Sequence, residues 1–163
     1  MTTLTKPSLP GQPASPAEEQ LISKLERIDA LYRLAGLGRM SPFVERADLV
    51  PELQEYIDDL PWNDGDGSLA LADAADEAAR ELPLEVEYSG RWSAGAAPAA
   101  DSVSITFTVG GPTCWISAPL NPYGSIITNE AAGHFSWSDD KGSFFIPERY
   151  HDALRWFADL VAC

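Results

Sequence analysis

The sequence predicts an α+β fold: N-terminal helices, an antiparallel β-meander of about four to five strands, and a C-terminal covering helix. Three observations carry this. Apolar residues recur at three- and four-residue steps up to about residue 82. From Pro83 the period changes to two, and after Pro147 the helical spacing returns. Helices, then hairpins, then one helix suit a single domain of ordinary size over residues 16–163, with no internal repeat.

The first 15 residues place prolines at 7, 10 and 13, and Pro16 continues the spacing. Period three is that of a polyproline II helix, so this stretch is expected to be a flexible, extended tail, with a PxxP ligand as the sharper alternative. Ser15-Pro16-Ala17-Glu18 then opens a helix. Ser15 is the cap, Pro16 suits the first position, and Glu18 stands three residues after the cap. Leu21, Leu25, Ile28, Leu31 and Tyr32 form its apolar stripe, and Gly36 and Gly38 are expected to end it. A short helix is expected near Ser41-Pro42. Another begins near Pro51, with Leu53, Tyr56, Ile57 and Leu60 inward and Pro61 as its stop. Ser68 can cap a helix over 69–82, with Leu71, Ala75, Ala78 and Leu82 along one side.

In the β region (83–146), Leu84, Val86 and Tyr88 alternate with Glu85, Glu87 and Ser89. Val103, Ile105, Phe107 and Val109 share one face of "SVSITFTV", and "TCWISA" returns after the Gly110-Gly111-Pro112 turn. "NPYG" (121–124) is a second turn, and "HFSWS" and "SFFIP" pair across "DDKG". The last helix (147–162) turns Tyr150, Leu154, Phe157 and Val161 inward.

The net charge of −14 argues against direct binding to DNA, RNA or anionic lipid, each of which requires a basic face. The only two cysteines, Cys114 and Cys163, make no disulfide framework. With no signal-peptide pattern and no apolar window long enough to span a membrane, a cytoplasmic protein is expected.

The stretch "PWNDGDGSLALADAADE" (61–77) looks like a calcium loop, but setting either Gly67 or Gly65 at the glycine position leaves Trp62 or Leu60 at the first ligand. No metal or other cofactor is expected. Instead, the loop belongs to a wider acidic region. From Glu45 to Glu87 there are 14 acids against Arg46 and Arg80, a net of −12 within a total of −14. Asp48, Glu52, Glu55, Asp58 and Asp59 ride on or beside one helix. Asp73, Asp76, Glu77 and Glu81 ride on the next, Asp64 and Asp66 lie between them, and Glu85 and Glu87 take the outer side of the first strand. Rows of carboxylates ~6 Å apart approach the spacing of nucleic-acid phosphates. These residues form the expected partner-binding surface, complementary to a basic protein groove; a solvated, merely solubilising surface is the competing reading.

Catalytic signatures are lacking. His134 and His151 have no zinc-site spacing, and His134, on a strand among aromatics, is expected to be a half-buried, satisfied imidazole rather than a general base. His151 is expected on the surface, and Cys114 as a packed thiol. Trp115 alternates against Cys114 and Ile116, while Trp137 aligns with Phe135; an aromatic patch of Trp115 and Trp137 stacking on a sugar or peptide is a further alternative.

Residues 83–121 resemble small accessory proteins of proteobacterial phages and plasmids, through Ser89, Gly90 and Trp92 and the Gly110-Gly111-Pro112 turn. The resemblance implies a mobile-element gene and brings no activity or catalytic residue with it. Joined to the charge, it implies a non-enzymatic inhibitor of a host nuclease or CRISPR effector, acting as a DNA mimic. An immunity protein against a basic toxin is the alternative that uses the same physics.

Overall fold

The computed structural model describes residues 15–40, 49–60, 71–91, 99–109 and 111–161, and its elements follow the expected order. Helix α1 (Pro16–Met40) opens as the sequence implies. The Ser15 hydroxyl accepts the Glu18 amide at 3.3 Å, satisfying a donor that a bare helix start leaves orphaned, and the Ser15 carbonyl accepts the Glu19 amide at 2.8 Å as the first intrahelical bond. Leu21, Leu25, Ile28 and Leu31 are buried along one stripe, and Tyr32 packs its ring on Trp156.

The helix does not stop at Gly36 or Gly38, as expected, but runs through both. The reason at Gly38 is spatial. A Cβ there would collide with the backbone nitrogen of Ala72, so the glycine lets the start of helix α3 (Leu71–Arg80) lie directly on α1. Buried Ala74, Ala75, Ala78 and Ala79 keep the facing surface of α3 equally slim. Helix α2 (Pro51–Asp58) turns Leu53 and Ile57 into the core, with Leu60 buried just beyond its end. The expected helix near Ser41, the Ser68 cap and the proline-rich tail lie outside the described residues.

Five strands form one antiparallel sheet in sequential order: β1 (Glu85–Arg91), β2 (Ala99–Thr108), β3 (Thr113–Pro119), β4 (Ala132–Trp137) and β5 (Asp140–Phe145). The register aligns Val86, Ile105, Ile116, Gly133 and Phe144 across one face, and Glu85, Thr106, Trp115, His134 and Ser143 across the other. The apolar face meets α1 and helix α4 (His151–Val161). A Cβ on Gly133 would stand 2.8 Å from Leu21, and Phe107 stacks on Phe157 with ring centroids 6.0 Å apart. Burying such a side chain stabilises the fold by roughly 1.5–3 kcal/mol.

Two strand ends are more exposed than alternation alone suggests, and one turn is displaced. Leu84 and Tyr88 share the side of Val86 but stay largely exposed because β1 is an edge strand, while Val86 and Tyr88 line a small cleft against Ala158 and Val161 of α4. Val109 is exposed past the end of β2. The β4–β5 turn falls at Ser138-Asp139 rather than over "DDKG": Trp137 pairs with Asp140, and Ser138 takes the left-handed backbone (φ 55°) that a tight hairpin requires. The "NPYG" turn is as expected. The Asn121 side-chain oxygen accepts the Tyr123 and Ser125 amides, and Gly124 supplies a positive φ. A 3-10 turn, Glu148–Tyr150, leads into α4, whose Leu154 and Phe157 are buried with Tyr150 and whose Val161 is half-buried. No helix among the described residues is long and apolar enough to cross a membrane.

Candidate functional site

Helices α2 and α3 both pack on α1, so the acids they carry belong to the helical side of the molecule. Glu52, Glu55, Asp58 and Asp59 are exposed on and just after α2, and Asp73, Glu77 and Glu81 are exposed on and just after α3. Asp76 differs from them. It is half-buried, and both its carboxylate oxygens accept from the Arg39 guanidinium, at 3.2 and 3.1 Å. Among the described residues no cation lies within ion-pair distance of Glu52, Glu55, Asp59, Asp73, Glu77 or Glu81.

The expected surface is not one piece. Val86 packs toward the helices, so alternation turns Glu85 and Glu87 to the opposite face of the sheet, away from α2 and α3. Asp48, Asp64 and Asp66, and with them the loop that imitates a calcium site, lie outside the described residues.

Four acids meet in a groove between α1, α2 and the turn before α4. Glu52 and Glu55 of α2 face Glu26 and Asp29 of α1 across an open volume of about 520 Å³, with Tyr56, Arg33, Arg149 and Tyr150 completing the walls. Glu26 and Asp29 are not among the expected residues, because they lie outside the densely acidic stretch from Glu45 to Glu87. Their spacing of three places both on one side of α1, which is the signal that was available. The field in the groove registers on the tyrosines. Partial burial pushes the Tyr56 hydroxyl above its ordinary pKa, and the Glu26 and Glu55 carboxylates push it further. Asp29 is also raised, by burial first, with Arg33 and Arg149 pulling the other way. Arg149 lies 4.6 Å over the Tyr150 ring, so this cation is partly engaged with an aromatic face.

The open face of the sheet is chemically different. His134 has both ring nitrogens engaged: Nε2 stands 2.7 Å from the Ser117 hydroxyl and Nδ1 stands 2.6 Å from that of Ser143. Trp115 stacks on the imidazole at 5.1 Å and 19°. The satisfied, half-buried imidazole is as expected, and desolvation lowers its pKa. His151 is not a free surface residue: it is half-buried, and Nε2–H donates to the Ile146 carbonyl at 2.8 Å. Cys114 is fully buried beside the Thr108 hydroxyl, and burial raises its thiol, which removes it as a nucleophile. The pair of Trp115 and Trp137 does not form a platform. Alternation from His134 to Trp137 puts the two indoles on opposite sides of the sheet.

Compared with known proteins, the chain matches no family model, no curated protein and no solved structure.

Proposed function

We propose that the protein is a non-enzymatic binding domain that docks its acidic helical surface into a basic nucleic-acid-binding cleft of another protein, such as a host nuclease or CRISPR effector, and so inhibits it. The observation that supports this best is the α1–α2 groove, where Glu26, Asp29, Glu52 and Glu55 converge around Tyr56 and, among the described residues, Arg33 and Arg149 in the walls and Arg27 beside Tyr56 oppose them only in part. Glu52 and Glu55, exposed and without an ion-pair partner among the described residues, would accelerate encounter with a positive surface and set the docking register. The half-buried Tyr56 adds an aromatic anchor of the kind that carries binding energy at interfaces. The likeness of residues 83–121 to accessory proteins of mobile elements points the same way. The acids on α3 extend the surface, whereas Glu85 and Glu87 stand apart from it.

The test is capture from a host lysate at low salt, with the wild-type chain and a variant carrying Glu52→Lys, Glu55→Lys, Asp58→Lys and Asp59→Lys. The expected result is a nucleic-acid-binding protein retained by wild type only, released by moderate salt and displaced by added DNA. A partner held equally by the variant, or indifferent to salt, would rule the reading out.

A further inference from the structure

The geometry points to Ser117 as a nucleophilic serine on the open face of the sheet, with His134 as its base and Ser143 as the positioning residue, reactive toward small carboxylic or phosphonic electrophiles. Three features on neighbouring strands combine to give this. Ser117 on β3 and His134 on β4 sit one diagonal apart, which brings Oγ within 2.7 Å of Nε2. Ser143, on β5 directly beside His134, is 1% exposed and holds Nδ1 at 2.6 Å. Trp115 stacks on the ring and fixes its plane. A nucleophile in hydrogen-bond reach of a base, with the base oriented by a third group, is the arrangement that activates a hydroxyl. With the Nδ1 proton donated to Ser143, Nε2 is the acceptor for the Ser117 hydroxyl. Ser117 and His134 are both only half-buried, so a small reagent can reach them.

The step balances simply. Ser117 Oγ forms a bond to the electrophilic carbon or phosphorus while its proton passes to Nε2. The bond to the leaving group breaks, and that group departs with the electron pair. An alkoxide recovers the proton from the imidazolium, whereas fluoride leaves it to solvent. Strand β3 is paired on both sides, so its amides are spent in the ladder and give no oxyanion hole. Only an activated reagent with a good leaving group such as fluoride then reacts. The Ser117 ester it leaves, lacking that activation, is hydrolysed more slowly than it forms, so the adduct accumulates to one equivalent instead of turning over. Glu85 and Glu87 on β1 and Lys141 on β5 share this face, but desolvation alone shifts the imidazole.

The experiment treats the full chain with an alkyl fluorophosphonate, follows intact mass, and maps the adduct by peptide mass. One adduct on Ser117 is expected. Its rate should be level above about pH 6.5 and fall under acid as His134 takes a proton. Labelling should vanish in Ser117→Ala and slow by about a hundredfold in His134→Gln. It should slow in Ser143→Ala and recover in Ser143→Thr. No adduct, an adduct on another residue, or a Ser117 rate independent of pH in wild-type protein overturns the proposal, whether or not the variants fold.

Discussion

The α1–α2 groove and the open face of the sheet are both polar, yet they satisfy their polar groups in opposite ways. In the groove, Glu52 and Glu55 stand exposed with no ion-pair partner among the described residues. On the sheet, His134 is held between two hydroxyls and stacked under an indole. The first region leaves its charge available to another molecule, while the second consumes its hydrogen-bonding capacity internally. Acidity along a chain is therefore not the same as an acidic surface. Glu85 and Glu87 belong to the dense segment in sequence, but strand alternation gives them to the other face. Glu26 and Asp29 lie outside that segment and join the groove.

The largest test of this contrast is stability. Phe157→Ala removes the ring stacked on Phe107 between sheet and helix, and should cost about 3–5 kcal/mol in urea unfolding. On the open face, Phe145→Ala removes a ring already more than half exposed and should change stability by no more than about 0.5 kcal/mol. Equal costs would mean that both faces are packed. Gly38→Ala should cost about 1–3 kcal/mol, since backbone rather than a flexible side chain blocks the new methyl. The matching change at Gly36, with nothing within 4 Å, should be neutral or mildly stabilising by thermal melt.

A smaller effect separates the regions by pH. The folded state depresses the pKa of His134, so its neutral form is preferred and its share of stability is complete above about pH 6.5. That share is lost as pH falls from there through the folded value. Wild type should lose more stability over this window than His134→Gln, and parallel curves would mean the imidazole is not desolvated. A similarly small change is expected at Arg39→Ala. The pair to Asp76 is about half exposed on the arginine side and is worth only ~0–1 kcal/mol, measured by the same unfolding assay.

Much of this architecture is legible in the chain because each element repeats one signal. The Leu21–Leu31 stripe, the Val103–Phe107 alternation and the Ser15 cap are local patterns, and the fold keeps them. Gly38 misleads because the same residue that ends helices also permits two helices to touch, and only the partner at Ala72 decides between these roles. The site is less legible. The carboxylates of Glu52 and Glu55 show in the sequence, but their convergence with Glu26 and Asp29 depends on how α2 crosses α1. Likewise the Ser117–His134–Ser143 chain is set by register between three strands, and no spacing in the sequence announces it.

The account rests on the groove as the place where charge is used. The direct measurement is the affinity of a fluorescent oligo-arginine peptide, standing in for a basic cleft, at about 50 and about 200 mM salt. It compares wild type with Glu52→Lys/Glu55→Lys and with Glu85→Lys/Glu87→Lys, two changes of identical net charge. The groove variant should lose about tenfold or more in affinity at low salt, roughly 1.4 kcal/mol, and the strand variant far less. Equal losses in the two variants would show that only total charge matters and would contradict the account.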